Sequence, residues 1–448
     1  MRIAITTLGC KINQYDSAVI HSRLEDYHSM VLFEDAADCY VINTCTVTDR
    51  ADWEARQLVR RAKRRNPAAK ILVTGCYAQV NPDEVAGLPG VDYVVGLNRL
   101  DDLLRFIEAD PSTKPRIAVS DVKRERGAPV IGTRALPGHT RAFLKIQEGC
   151  NYSCTYCIIP TARGLSRSVA PREVLEQVRQ LAGSGYKEIV LTGIHLGGYG
   201  HDLRPRIDLT QLAEMIATSG LILRLRLSSL DPREVPDRLI DLIASSDVIC
   251  PHLHICAQAG DDKILQNMRR NYDTSCYREL LARVRERLPE AALGSDIIVG
   301  FPGESEQQFE SSLEYFASLP LTYFHVFPYS SRRGTPAASL RDQVAIDVKK
   351  TRARRVRELG VQKKHAFCSR FIGRRLTVLI EDKLDVKTGA RRGFTRNYLP
   401  VNVCSIGETS NEEVTVELTG FDNGWLAGTP CGAQMEPAAC DSLTVYPE

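Results

Sequence analysis

The chain has 448 residues, 43% hydrophobic and 25% charged, with 58 basic and 55 acidic side chains giving a net charge of +3. That composition is ordinary for a globular protein, the near balance of charge argues neither for nor against nucleic acid, and the length predicts about three domains. No apolar run approaches the roughly 20 residues a bilayer span needs, and the N-terminus lacks a signal peptide, so the expected location is the cytoplasm, where fourteen cysteines point to metal or redox chemistry rather than disulfides.

Residues 1–112 alternate strand and helix. Strands are predicted at 2–7, 39–43, 70–74 and 93–96, and helices at 18–27, 51–65 and 100–107. This alternation predicts a doubly wound parallel α/β sheet. Cys10, Cys45 and Cys76 each follow the C-terminal end of a predicted strand, the edge where open α/β sheets bind ligands. Spacing alone leaves two readings, convergence on one point or three unrelated core cysteines. The basic residues Arg56, Arg60, Arg61, Lys63, Arg64 and Arg65 of the second helix form either a solvated face or a phosphate-contacting surface.

Residues 113–135 form a linker, within a Pro- and Gly-rich stretch that holds Pro111, Pro115, Gly127, Pro129, Gly132, Pro137 and Gly138, with one short strand at 117–120. Residues 136–366 repeat a β-then-α unit six times, with strands at 142–147, 188–191, 222–227, 253–255, 295–299 and 323–327. Pro171 and Pro236 fit first-turn helix positions. Six units predict a partial (β/α)6 barrel, with chemistry at the C-terminal strand ends.

The loop after the first of these strands is Cys150-Asn151-Tyr152-Ser153-Cys154-Thr155-Tyr156-Cys157. Three thiols in CxxxCxxC spacing can point at one centre, and thiolate suits Fe–S clusters, zinc or Cu(I). Structural zinc is closed by four ligands, whereas three cysteines on a [4Fe–4S] cluster leave one iron free. Zinc with a distant fourth ligand and three buried free thiols are the alternatives.

Residues 368–446 switch to period two, at 374–380, 398–403 and 414–418, which predicts a small antiparallel β-barrel. Arg391, Arg392, Phe394 and Arg396, with Tyr398, mix guanidinium groups and aromatics in a pattern suited to RNA; an exposed polar hairpin is the other reading. The remaining cysteines, Cys39, Cys250, Cys256, Cys276, Cys368, Cys404, Cys431 and Cys440, show no ligand spacing. His252 and His254 flank a predicted strand and read as structural.

The segment 141–160 resembles the radical S-adenosylmethionine (SAM) superfamily. Leu8-Gly9-Cys10-Lys11-Ile12-Asn13, Asn43-Thr44-Cys45 and Thr74-Gly75-Cys76 resemble the N-terminal domain of the methylthiotransferases, and the tail resembles a TRAM domain, an OB-like RNA-binding module. The resemblance implies two [4Fe–4S] clusters, on Cys150, Cys154 and Cys157 and on Cys10, Cys45 and Cys76. One electron from the first cleaves SAM to a 5′-deoxyadenosyl radical, and the second carries the sulfur that becomes a methylthio group. It further implies SAM contacts from Thr192 and Gly193 and from Arg226, Ser228 and Gly300.

The cysteine context at Gly9–Asn13 and the run His325-Val326-Phe327-Pro328-Tyr329-Ser330 resemble the branch that modifies C2 of N6-threonylcarbamoyladenosine 37 in the tRNA anticodon stem-loop. Other branches act on isopentenyladenosine 37 or a ribosomal-protein aspartate, and a zinc-stabilised RNA-binding protein without catalysis is a further alternative. Expected partners are tRNA, an electron donor such as flavodoxin or ferredoxin, and a sulfur donor, with the chain a monomer. One departure stands out: Cys256-Ala257-Gln258-Ala259-Gly260 replaces the family's usual Pro-Leu-Gln-Ser-Gly.

Overall fold

The computed structural model describes residues 1–109, 116–127, 132, 139–404, 406–407 and 409–431. Pro111, Pro115, Pro129, Pro137, Gly138 and Cys440 lie outside the described residues, as does the end of the expected C-terminal domain.

The N-terminal unit runs β1 (Arg2–Thr7), α1 (Lys11–Leu24), β2 (Ser29–Val31), β3 (Cys39–Thr44), α2 (Asp49–Arg65) and β4 (Lys70–Gly75). It continues with α3 (Cys76–Val80), α4 (Pro82–Ala86), β5 (Tyr93–Val95), α5 (Leu100–Glu108) and β6 (Arg116–Ala118). The six strands are parallel, in the order β2-β1-β3-β4-β5-β6. Strands β3 and β4 are buried along their whole length, because helices cover both faces of a parallel sheet. Two expectations change here. The first helix begins directly after Cys10 rather than near residue 18. The short strand expected in the linker is the sixth strand of this sheet, so the sheet runs past residue 112.

The central unit begins with β7 (Arg141–Glu148), α6 (Ile159–Arg163), β8 (Arg167–Ser168), α7 (Pro171–Gly183) and β9 (Glu188–Gly193). Then come α8 (Leu209–Ala217), β10 (Arg224–Leu227), α9 (Asp237–Ser245), β11 (His252–His254), α10 (Asp262–Asn267) and α11 (Thr274–Arg287). It closes with β12 (Ala292–Val299), α12 (Glu306–Ser318), β13 (Tyr323–Pro328) and α13 (Ile346–Ser369). Strands β10, β9 and β7 pair in parallel, as do β11, β12 and β13. The bridges Leu225–Ile249 and Leu230–Ile255 join the two halves into one curved row of six. Pro171 opens its helix as expected, whereas Pro236 is an N-cap.

The C-terminal unit is a closed five-stranded barrel of β14 (Arg375–Leu384), β15 (Arg391–Thr395), β16 (Pro400–Val403), β17 (Glu413–Asp422) and β18 (Trp425–Pro430). It is not purely antiparallel, since β16 and β18 close it in parallel. The period-two runs are its inward faces: Val378, Ile380, Val401, Val403, Val416 and Leu418 form its core.

Candidate active site

The loop after β7 is shaped by two residues at its start. The buried Gln147 carboxamide donates to the carbonyls of Glu148 (2.9 Å) and Gly149 (2.8 Å) and to Ser166 Oγ (2.9 Å). Gly149 has φ +72°, and a Cβ there would lie 2.0 Å from the Leu165 carbonyl oxygen, so only glycine fits. Beyond it Cys150, Cys154 and Cys157 gather at the barrel mouth. The Cys157 amide donates to the Cys154 carbonyl (3.1 Å). The Cys150 sulfur accepts from the Tyr152 amide (3.4 Å), and Arg270 reaches the Cys154 sulfur at 3.0 Å. Burial, with the neighbouring thiols adding to it, pushes Cys157 up to about 12 and Cys150 up to about 11. A soft cation would reverse this by displacing the thiol protons.

Of the two readings left open for the second set, the structure favours convergence, bringing Cys10, Cys45 and Cys76 close together. Asn13 Oδ1 lies 4.0 Å from the Cys10 sulfur and 3.9 Å from that of Cys76. The same side chain donates to the Leu8 (2.8 Å) and Thr44 (3.0 Å) carbonyls, tying together the ends of β1 and β3. A Cβ on Gly9 would sit 3.0 Å from the Cys45 sulfur. Gly75, with φ +96°, brings Cys76 in from β4, and a Cβ there would meet the Thr44 carbonyl oxygen at 2.3 Å. Burial pushes Cys45 up to about 12, with Cys76 and Cys10 contributing, and raises Cys76.

A buried ionic network locks the two sets together. Arg163, at the end of α6, donates to the Cys76 sulfur (3.3 Å) and to Asn13 Oδ1 (2.7 Å). It also grips both Glu148 oxygens (2.9 and 3.0 Å) and Asp16 (2.9 Å). Lys145 completes the square, 2.6 Å from Asp16 and 2.8 Å from Glu148. Two cations thus face two carboxylates. Burial alone would raise the Glu148 carboxyl, but Arg163 and Lys145 bring it down to about 2.

Strands β11–β13 and the residues just after them carry a polar cluster. His254 Nε2 and His325 Nδ1 lie 3.0 and 3.2 Å from Asp296 Oδ1, and the Cys256 thiol is 3.4 Å from Asp296 Oδ2. Tyr323 Oη bonds His252 (2.8 Å) and His254 (3.2 Å). The His325 side chain is 57% exposed. Desolvation by the surrounding protein lowers the ammonium pKa of Lys11. His252 and His254 are buried and hydrogen-bonded within the protein, as structural histidines are, and Cys256 is buried against Asp296. Asp296 accepts from all three of its neighbours, so the cluster is satisfied without an ion.

The other expected contacts divide. Thr192, at the end of β9, has a buried hydroxyl with no partner among the described residues, which leaves a donor for a ligand at the mouth. A Cβ on Gly193 would press on Gln147 at 3.0 Å. Gly300 (φ +70°) turns the chain out of β12, its amide held by Glu304 (2.6 Å). Ser228, just after β10, is buried, its amide on the Leu191 carbonyl of the neighbouring β9 (3.0 Å).

Arg226 does not reach the mouth. Its guanidinium bonds Glu188 at the start of β9 (2.7 and 3.2 Å) and the Arg396 carbonyl (3.1 Å), because its strand position points it at the C-terminal barrel. The expected RNA contacts are engaged as well. Arg396 donates to the Leu223 carbonyl (3.2 Å) and to that of Asp247. Phe394 stacks on Tyr398 (4.9 Å) beneath Arg141 (4.6 Å). Arg391 pairs with Asp382 (3.3 Å) and Arg392 with Asp385 (2.9 Å). These residues build the seam between the two barrels or brace the small one.

Residues 2–96 match the family described as Uncharacterized protein family UPF0004, and residues 144–316 match the Radical SAM superfamily. Threonylcarbamoyladenosine tRNA methylthiotransferase MtaB of Bacillus subtilis (strain 168) is 41% identical over 403 residues, covering 89% of this chain and 89% of its own. The protein of the same name from Aquifex aeolicus (strain VF5) is 40% identical over 90% of this chain and 96% of its own. The chain belongs to the MtaB methylthiotransferase family. Its fold is also that of the radical S-adenosylmethionine methyltransferase TsrM from Kitasatospora setae, at TM-score 0.53 and 15% identity, covering 75% of each chain.

In this MtaB-family chain both cysteine sets fit an iron–sulfur cluster held at three corners. Each offers three sulfurs in a partly buried pocket, with N–H donors from Tyr152, Arg270, Val47 and Arg163 aimed at sulfur, an arrangement that stabilises thiolate ligands. Sequence reasoning missed Asn13, Asp16, Lys145, Glu148 and Arg163. The available signal was position: Glu148 stands two residues before Cys150, and Asn13 three after Cys10.

Proposed function

We propose that this chain replaces the C2 hydrogen of N6-threonylcarbamoyladenosine 37 of tRNA by a methylthio group, using two [4Fe–4S] clusters and SAM. The observation that carries the reading is the pair of three-cysteine sets joined through Arg163. Cys150, Cys154 and Cys157 would hold one cluster, and Cys10, Cys45 and Cys76 the other. When bound, these groups supply the one-electron cleavage of SAM and the sulfur, chemistry that no side-chain acid or base can perform on an unactivated C–H bond.

The protein's share is positioning. Arg163, Glu148, Asp16 and Lys145 fix the two loops against each other. Thr192 offers a buried hydroxyl, and Gly193 and Gly300 let the backbone approach a ligand closely. The substrate reading rests on the threonylcarbamoyladenosine tRNA methylthiotransferases that the chain resembles at 41% and 40% identity over most of its length. A flavodoxin or ferredoxin as electron donor, a separate sulfur donor and a monomeric state complete the proposal.

The test is nucleoside analysis of anticodon stem-loop RNA after anaerobic incubation with SAM. Conversion of threonylcarbamoyl RNA in preference to isopentenyl RNA supports the reading. Preference for isopentenyl RNA, or a preparation holding zinc and no iron, overturns it.

A further inference from the structure

Phe394 and Arg396 of the C-terminal barrel lie at the seam, whereas Arg391 and Arg392 pair within that barrel. Helix α2 offers a further basic surface. Its inner face, Ala55, Leu58, Val59 and Ala62, is buried against the sheet. Positions 53, 56, 60 and 64 follow helical spacing, so their side chains share the opposite face. Arg56 is tied to Glu84 (3.1 Å), but Arg60 and Arg64 are exposed and make no ion pair among the described residues. Above them the Trp53 ring is 54% exposed. A solvated basic face accounts for free arginines; it does not account for an indole left in water, because burying an aromatic ring of that size is strongly favourable.

The place of Trp53 decides its use. The N-terminus of α2 is clamped to the barrel. Arg332, in the loop after β13, bonds Asp49 (2.6 Å), Thr46 (3.2 Å) and Asp52, and Ser330 Oγ accepts from the Asp49 amide (3.1 Å). Thr46 directly follows Cys45, and Val47 beside it is 47% exposed. Trp53 therefore stands about one helical turn from the seam between the two cysteine-bearing units. An unpaired RNA loop approaching that seam along α2 would meet it, and single-stranded bases bind by stacking on aromatic rings beside cations for the phosphates.

We propose that the Trp53–Arg60–Arg64 face of α2 is the platform for the RNA strand flanking the target base, with Trp53 stacking on an unpaired neighbour and the arginines meeting phosphates. This rests on the tRNA reading above. The chain has two tryptophans, so Trp425→Phe leaves Trp53 as the sole reporter. Titrating that reconstituted holoenzyme with anticodon stem-loop RNA should quench its fluorescence to saturation. In the otherwise native enzyme Trp53→Ala should raise KM for the stem-loop roughly tenfold with kcat retained, and Trp53→Phe should recover most of the loss. Arg60→Glu with Arg64→Glu should flatten the salt dependence of binding. If the native enzyme converts the RNA while Trp53→Ala keeps its KM, or Trp53 fluorescence is unmoved at saturation, the platform is wrong and the function stands. Failure of the native enzyme to bind or convert any stem-loop overturns both.

Discussion

Arg163 donates to the sulfur of Cys76, 87 positions away in the chain, at 3.3 Å. One residue of the barrel's own cysteine loop region therefore touches a ligand of the other domain's cysteine set. The same guanidinium binds Glu148 and Asp16, so one buried side chain touches both cysteine-bearing units, beside the Lys145–Asp16 pair.

Replacing Arg163 by Met should remove those contacts at high cost. It leaves Glu148 and Asp16 with only Lys145, and breaking a buried ion network by deleting one partner costs roughly 3–5 kcal/mol. Denaturant unfolding would show the loss. Arg163→Lys should recover only part of it, because an ammonium cannot span Glu148, Asp16 and Cys76 together.

Each of the six cysteines holds one corner of a three-corner site. Cys10→Ala or Cys150→Ala should each lower iron from about eight to about four per chain and abolish methylthio product. Iron assay and nucleoside analysis read the two effects separately. Full activity in any of the six variants would remove the basis of the proposed chemistry.

Gly149→Ala tests the shape of the first loop. The added methyl would come within 2.0 Å of the Leu165 carbonyl oxygen at a φ of +72°. Since neither chain can yield without displacing Cys150, iron at that site should fall while the other site stays filled. Iron near four per chain, with the fold intact by circular dichroism, is the expected result.

The pH response follows from Glu148. Its carboxyl titrates near 2 in the fold, below its ordinary value of 4.5. A depressed acid stabilises the folded state at pH above the unfolded value, and that contribution is lost as pH falls from about 4.5 toward about 2. Unfolding midpoints of the metal-free chain should therefore decline over that window. Glu148→Gln should start lower and decline less steeply.

The seam between the barrels rests on Arg224, buried and bonded to Glu413 (2.5 Å) and to the Phe394 (2.9 Å) and Thr377 (3.2 Å) carbonyls. Arg224→Ala leaves Glu413 and the two carbonyls without this donor, while Glu188 keeps Arg226, and should loosen the C-terminal barrel. Faster limited proteolysis after residue 369, with both clusters retained, would report it.

Much of this was legible along the chain. The apolar runs that became β3 and β4, the β-then-α repeats and the CxxxCxxC loop are written in local spacing, and local spacing fixes which side chains a strand or turn presents together. The rule about strand ends in parallel sheets made the meeting of Cys10, Cys45 and Cys76 one of two readings, and the fold decided between them. What the order of residues could not decide was where the domains press on one another. Arg226 and Arg396 look like ligand and RNA contacts in sequence and are seam residues in the fold. Cys256 looks idle and stands against Asp296, forty positions on. Such pairings arise from the docking of whole sheets and barrels, whose relative placement is set by summed packing and desolvation across the interface, and no window of neighbouring residues carries that information.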